Sequence, residues 1–148
     1  MPYDALRKGR VSLSNQAYFI TTVTRARYPH FREFRLAAIV ARELLHLHRT
    51  GQVDSLAWVL MPDHLHWLFA TRSIELSDIV RIFKGRTGHR VNRACRGRGP
   101  LWQRSFYDHA VRAEEDLCEI ARYIVANPLR AGIVRRLGDY PFWNAIWL

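Results

Sequence analysis

Ser55-Leu56-Ala57-Trp58-Val59-Leu60-Met61-Pro62-Asp63-His64-Leu65-His66-Trp67-Leu68-Phe69-Ala70-Thr71 is the stretch that decides the fold. Two apolar runs, 55–61 and 64–71, are rich in the branched and aromatic residues that strands favour, and only Pro62-Asp63 separates them. Proline presets φ for the first corner of a turn and aspartate suits the next, so the stretch predicts an antiparallel hairpin.

The flanks extend that hairpin into a sheet with helices. Upstream, Leu36, Ile39, Val40, Leu44 and Leu47 recur at helical spacing within 34–47, and Gly51 stands just past the end as a stop. Before that helix, 17–24 (Ala-Tyr-Phe-Ile-Thr-Thr-Val-Thr) reads as a first strand and Pro29 closes its loop. Downstream, a second helix is expected from near Ser77, with Ser77 and Asp78 as capping residues, through Ile79, Val80, Ile82 and Phe83 to Ala94. Arg96-Gly97-Arg98-Gly99-Pro100 is a basic loop, and 105–111 a further strand. Glu114-Glu115-Asp116 place negative charge where a helix N-terminus welcomes it. The third helix then runs to about Ala126 with Leu117, Ile120, Ala121 and Ile124 as its buried stripe, and Pro128 is expected to end it.

The order strand, helix, strand, strand, helix, strand is that of an α+β, ferredoxin-like (split β-α-β) antiparallel sheet, with helices on one face and the other free to meet a ligand. The last helix is an addition to that unit. We read 1–148 as a single domain, with 1–16 a basic N-terminal arm and 133–148 a C-terminal tail anchored by Trp143 and Trp147.

A composition 49% apolar and 24% charged is that of an ordinary globular protein rather than a disordered chain. No apolar run reaches the length of a membrane span and the first ten residues lack a signal-peptide core, so the expectation is a cytoplasmic protein with no membrane partner. Cys95 and Cys118 show no paired spacing, which argues against a disulfide framework or a zinc ribbon.

Lys plus Arg exceed Asp plus Glu by 23 to 13, a net charge of +10 that favours anionic partners. The distribution is sharper than the sum. Between Asp78 and Asp108 there is no acid, while Arg81, Lys84, Arg86, Arg90, Arg93, Arg96, Arg98 and Arg104 all fall there. A solvated face normally mixes signs; this one points to nucleic acid, and arginine in particular suits bidentate phosphate contacts.

His64 and His66 flank Leu65 at the start of the predicted third strand. Residues two apart on a strand share a face, so both imidazoles can reach one metal. The chain contains its own control in His46-Leu47-His48, the same tripeptide at the end of a helix, where positions two apart diverge by about 200°. For a phosphodiester substrate the useful ion is a hard one, Mg²⁺ or Mn²⁺, although imidazole suits Zn²⁺ equally.

Arg122-Tyr123-Ile124-Val125-Ala126-Asn127 places a tyrosine and an amide four apart, neighbours on one helix face. A phenol is a weak nucleophile at neutral pH, so attack on phosphorus requires a metal to stabilise transition-state charge and an acceptor for the proton.

These residues resemble a known family. His64-Leu65-His66 is similar to the His-hydrophobe-His motif of HUH endonucleases, and one helical tyrosine followed four residues on by a polar group resembles the single-tyrosine (IS200-like) transposases. Residues 58–66, then 101–109 (Leu-Trp-Gln-Arg-Ser-Phe-Tyr-Asp-His), then 122–132 are similar, in order, to the REP-associated tyrosine transposases. The resemblance implies metal-dependent cleavage of single-stranded DNA beside hairpins of repetitive palindromes, through a 5′-phosphotyrosine at Tyr123 that can rejoin strands. It implies His64, His66 and Asn127 as metal ligands; insertion-sequence relatives carry glutamine at the last, so the shorter Asn127 must come from a closer helix or act through water. Arg81, Lys84, Arg86, Arg90, Arg93 and Arg104 would then track phosphates, Trp102 or Phe106 would stack on bases, and Arg7, Lys8 and Arg10 would reach the backbone as an arm. Such a protein works on bacterial DNA at the nucleoid, as a monomer or homodimer. Two competing readings remain at this point: a non-catalytic, RRM-like nucleic-acid binder, and a phosphodiesterase that uses water and no tyrosine.

Overall fold

The structure, a computed structural model, describes residues 16–147. The elements run β1 (Ala17–Val23), α1 (Phe34–Arg49), β2 (Val53–Met61), β3 (His64–Thr71), α2 (Leu76–Cys95), β4 (Tyr107–Ala110), α3 (Leu117–Val125), the single-turn α4 (Asn127–Arg130) and β5 (Trp143–Ala145). Among the described residues they build one five-stranded sheet in the order β4-β1-β3-β2-β5, every pair antiparallel. The first four positions are the order that a split β-α-β unit produces, with β3 inserted between β1 and β2.

The hairpin forms as the sequence predicts. Met61 pairs with His64 across the two-residue turn Pro62-Asp63, and the register continues through Val59↔His66 and Trp58↔Trp67. On its other side β3 pairs with β1, Val23 opposite His64 and Thr21 opposite His66. β3 is therefore the centre of the sheet, with a neighbour on each side.

Alternation along the strands divides the core in two. Ile20, Leu65, Trp67 and Phe69 face α1 and α2, where they meet Leu36, Val40, Leu44, Leu47, Ile79, Val80 and Phe83. Ala17, Val59, Met61 and Leu68 face the opposite way and meet Leu117, Ala121, Ile124 and Val125 of α3. The additional helix thus covers part of the face that α1 and α2 leave open. His64 and His66, in phase with Leu68, belong to that same face.

Local boundaries follow identifiable chemistry. Gly51 has φ +74°, a conformation that glycine adopts without steric penalty, and it closes α1 as expected. α2 begins one residue before the expected cap: Glu75 is the N-cap without a side-chain bond, which puts Ser77 and Asp78 in the first turn. Asp116 caps α3, its carboxylate accepting from Cys118 N at 2.9 Å and Glu119 N at 3.3 Å. Pro128 does not end helical structure; α3 closes at Val125, Ala126 caps it, and proline sits in the first turn of α4, where its missing N–H costs nothing.

The tail is part of the sheet. β5 lies along β2, Ala57 opposite Ala145 and Val59 opposite Trp143, and Tyr140 donates its hydroxyl to the Leu60 carbonyl. Among the described residues no helix is long and apolar enough to cross a membrane.

Candidate active site

β3 delivers His64 and His66 to the α3 face with ring centroids 4.8 Å apart. Each ring is held through Nδ1: His64 lies 2.7 Å from Asp63 Oδ1, and His66 lies 2.7 Å from Thr21 Oγ1. A carboxylate only accepts, so His64 Nδ1 carries the proton and the Nε2 lone pair is left for a ligand. This carboxylate–imidazole arrangement fixes tautomer and ring orientation in metal sites generally. Asp63 is itself tied down by Arg27 Nη1 at 2.9 Å. Burial pushes its pKa up, but the hydrogen bonds from His64 and Arg27 outweigh that and hold the carboxyl below its ordinary value.

Arg27 comes from a turn with left-handed backbone, φ 58° at Ala26 and 53° at Arg27. Non-glycine residues persist there only when their surroundings fix them. Here Thr24 N donates to the Asp63 carbonyl at 2.9 Å, Thr24 Oγ1 donates to the Tyr28 carbonyl at 2.9 Å, and Phe31 N donates to the Pro62 carbonyl at 3.0 Å.

Burial, then the neighbouring His64, then the charge of Arg130 push the pKa of His66 down to about 4. The ring is neutral at physiological pH, the form that binds metal. Its folded pKa lies below the unfolded value of 6.5, so between about 4 and 6.5 the unfolded chain binds more protons. Stability present above that window is therefore lost as pH falls through it. In metal-free protein the urea midpoint should drop from pH 7 to pH 4, and His66→Gln should flatten the slope; an unchanged slope would refute the assignment.

Tyr123 stands on α3, 56% exposed, and among the described residues no hydrogen bond reaches its phenolic oxygen. The Arg130 guanidinium carbon lies 3.9 Å from the ring centroid. Asn127 opens α4, half-buried, and its amide nitrogen donates to the Ile124 carbonyl at 3.3 Å. The break at Ala126 puts Asn127 outside the helix that carries Tyr123, so the two are not neighbours on one uninterrupted helix face. No three His, Cys, Asp or Glu side chains converge among the described residues, so there the two imidazoles find no third ligand of these types. Two oriented imidazoles whose Nε2 atoms, among the described residues, make no hydrogen bond fit a divalent ion. The control pair behaves as a helix dictates: His46 and His48 are exposed in the last turn of α1, and His48 Nδ1 accepts from Ser55 N at 3.1 Å.

The basic segment is less uniform than its sequence suggests. Arg81, Arg93 and Arg104 are exposed. Arg86 is half-buried and Arg90 exposed, but both pair with Glu43, a fully buried carboxylate on α1, at 3.0 and 3.4 Å. Lys84 departs from the expected role: its ammonium donates to the carbonyls of Gln103 and Ser105 at 2.8 and 2.9 Å, tying the loop before β4 to α2, and burial lowers its pKa. Trp102 corrects the stacking expectation. It is 4% exposed, packs against Phe31 and Phe83, and donates Nε1 to Thr87 Oγ1 at 2.9 Å, so it offers no face to a base. Phe106, under Lys84, remains partly exposed. Arg7, Lys8 and Arg10 lie outside the described residues.

Sequence reasoning missed Thr21, Arg27, Glu43 and Arg130. Only Glu43 carried a signal: it falls three residues after Val40 and seven after Leu36, on the stripe that α1 buries.

A family model described as "Transposase IS200 like" matches residues 12–127, from before β1 through both histidines and Tyr123 to Asn127. The chain belongs to that family. The chain is 34% identical over 88 residues to a REP-associated tyrosine transposase of Escherichia coli K12, a match covering 58% of this chain and 50% of the relative. It spans about half the length of the curated relatives that it matches. Among solved structures it resembles that of a REP-associated tyrosine transposase bound to a REP hairpin, with a TM-score of 0.72 and 25% identity over 88% of this chain and 76% of that one.

Proposed function

We propose that this IS200-like transposase is a metal-dependent single-strand DNA endonuclease and strand transferase that cuts beside REP-type hairpins through a covalent 5′-phosphotyrosine at Tyr123. The observation that carries the proposal is the shared face: β3 and α3 bring an oriented histidine pair and an exposed tyrosine to the same side of the sheet. The hairpin-bound relative supports the substrate class, and the acid-free segment 79–107 supports an anionic one.

His64 and His66, with Asn127, would hold Mg²⁺ or Mn²⁺, which polarises a phosphoryl oxygen as a Lewis acid. Asp63 and Thr21 keep the imidazoles in register, and the low pKa of His66 keeps it from being protonated. Tyr123 Oη attacks phosphorus, the bond to the 3′ oxygen breaks, and that oxygen leaves as a hydroxyl. The phosphotyrosine retains the reactivity of a phosphodiester, which makes rejoining the reverse of cleavage. The site of action is the cytoplasm, at bacterial DNA.

The test is a labelled REP-type hairpin with single-stranded flanks, incubated with Mn²⁺ and run on a denaturing gel. A band of DNA covalently joined to protein, absent with EDTA, is expected. Cleavage without that band would mean a hydrolase; binding without cleavage would mean a pure binder; either result refutes the proposal.

A further inference from the structure

Arg130 lies seven residues past Tyr123, beyond the break at Ala126, yet it is folded back onto the tyrosine. Its guanidinium carbon is 3.9 Å from the ring centroid and Nη2 donates to the Tyr123 carbonyl at 2.7 Å. Stack and hydrogen bond together fix a side chain that, at an exposed position, would otherwise sample many rotamers. Among the described residues no carboxylate pairs with it, which distinguishes it from Arg86 and Arg90 on α2, both committed to Glu43. A guanidinium has five N–H donors in a planar fork, and one carbonyl occupies only part of that capacity.

We infer that Arg130 is a catalytic residue of strand cleavage and joining, fixing the Tyr123 ring by its stack and donating to a non-bridging oxygen of the scissile phosphate. The inference rests on the function proposed above and adds to it a chemical step at Arg130 that it did not assign. In the step, Tyr123 Oη forms the bond to phosphorus and the bond from phosphorus to the 3′ oxygen breaks. The phenolic proton is released, the departing 3′ oxygen takes one up, and the diester carries a single negative charge before and after. The charge that builds on the non-bridging oxygens during the exchange is what a preorganised donor offsets, and it does so in both directions.

The experiment uses the full chain with Mn²⁺ and a REP-type hairpin whose cleavage position is first mapped with the wild type. Single-turnover adduct formation and hairpin affinity are measured for wild type, Arg130→Met and Arg130→Lys. Each is then given substrates with the Rp or the Sp phosphorothioate at the scissile position. Removing one donor aimed at transition-state charge should slow adduct formation about 100-fold or more in Arg130→Met. Affinity should be little changed, and Arg130→Lys should recover part of the rate.

The diagnostic readout is stereochemical: a donor to one non-bridging oxygen makes the wild type discriminate between the diastereomers, and Arg130→Met should lose part of that discrimination. A merely structural arginine would slow both diastereomers equally, so an unchanged Rp/Sp ratio in Arg130→Met overturns the inference. So does a rate within about three-fold of wild type, far short of the loss expected for a missing donor. If wild type itself forms no adduct, the transposase reading falls, and this inference with it.

Discussion

Tyr123→Phe is expected to abolish the covalent protein–DNA adduct while leaving hairpin affinity within about two-fold of wild type and the melting temperature unmoved. The phenol is 56% exposed and its hydroxyl has no hydrogen bond among the described residues, so the substitution removes no internal contact. Phenylalanine keeps a ring beneath Arg130, so the stack survives as well. What is lost is the proposed nucleophile alone, and deletion of a nucleophile costs on the order of 10⁴-fold or more. Adduct formation by the variant at even a hundredth of the wild-type rate would show that another residue attacks. Strand cleavage without adduct would indicate that water does.

Trp102→Ala should destabilise the protein by about 3–5 kcal/mol, the usual cost of deleting a large buried aromatic side chain. The indole lies between Phe31 and Phe83, with centroids 5.4 and 5.7 Å away, and it donates to Thr87, itself buried. Its backbone bridges to Thr24, and Gln103 N donates to Val23 at 2.8 Å, so the cavity would open beside the strand end that carries the histidine register. Trp102→Phe, which keeps most of the packing, should cost far less. Urea unfolding separates this role from base stacking: a stacking platform would lose hairpin affinity at full stability. That result would sink the core assignment.

The two cases show what the sequence carried and what it could not. The hairpin, the order of the first four strands, the first two helices and the shared face of His64 and His66 all follow from local chemistry, namely alternation, a turn pair and helical spacing. β5 was illegible because it is three residues long and is a strand only because β2 offers an edge to pair with. Trp102 sits among arginines in a glycine-rich segment, and nothing near it in sequence announces that Phe31, Phe83 and Thr87 close over it. Lys84, Arg86 and Arg90 were read as free cations because their partners are distant in the chain, the carbonyls after Trp102 and the carboxylate of Glu43. At the site, the tyrosine and histidines were visible as residue types. Thr21, Arg27 and Arg130 were not, because their roles exist only through contacts made across the sheet or back over a helix break.

The division of the core by the sheet has a mechanical consequence for any DNA that meets both sides. α2, with its run of arginines, packs on one face, whereas the histidines and Tyr123 belong to the other. Duplex DNA is stiff over about 150 base pairs and does not fold around the edge of a domain this small without a large bending cost. A paired stem can lie along one side only, and the strand that turns the edge must be unpaired. On the function proposed above, a chain with this layout would measure the distance from stem to cut by the length of loose strand needed to go around it, so inserting or deleting single nucleotides there should shift the point of cleavage rather than weaken the grip on the stem.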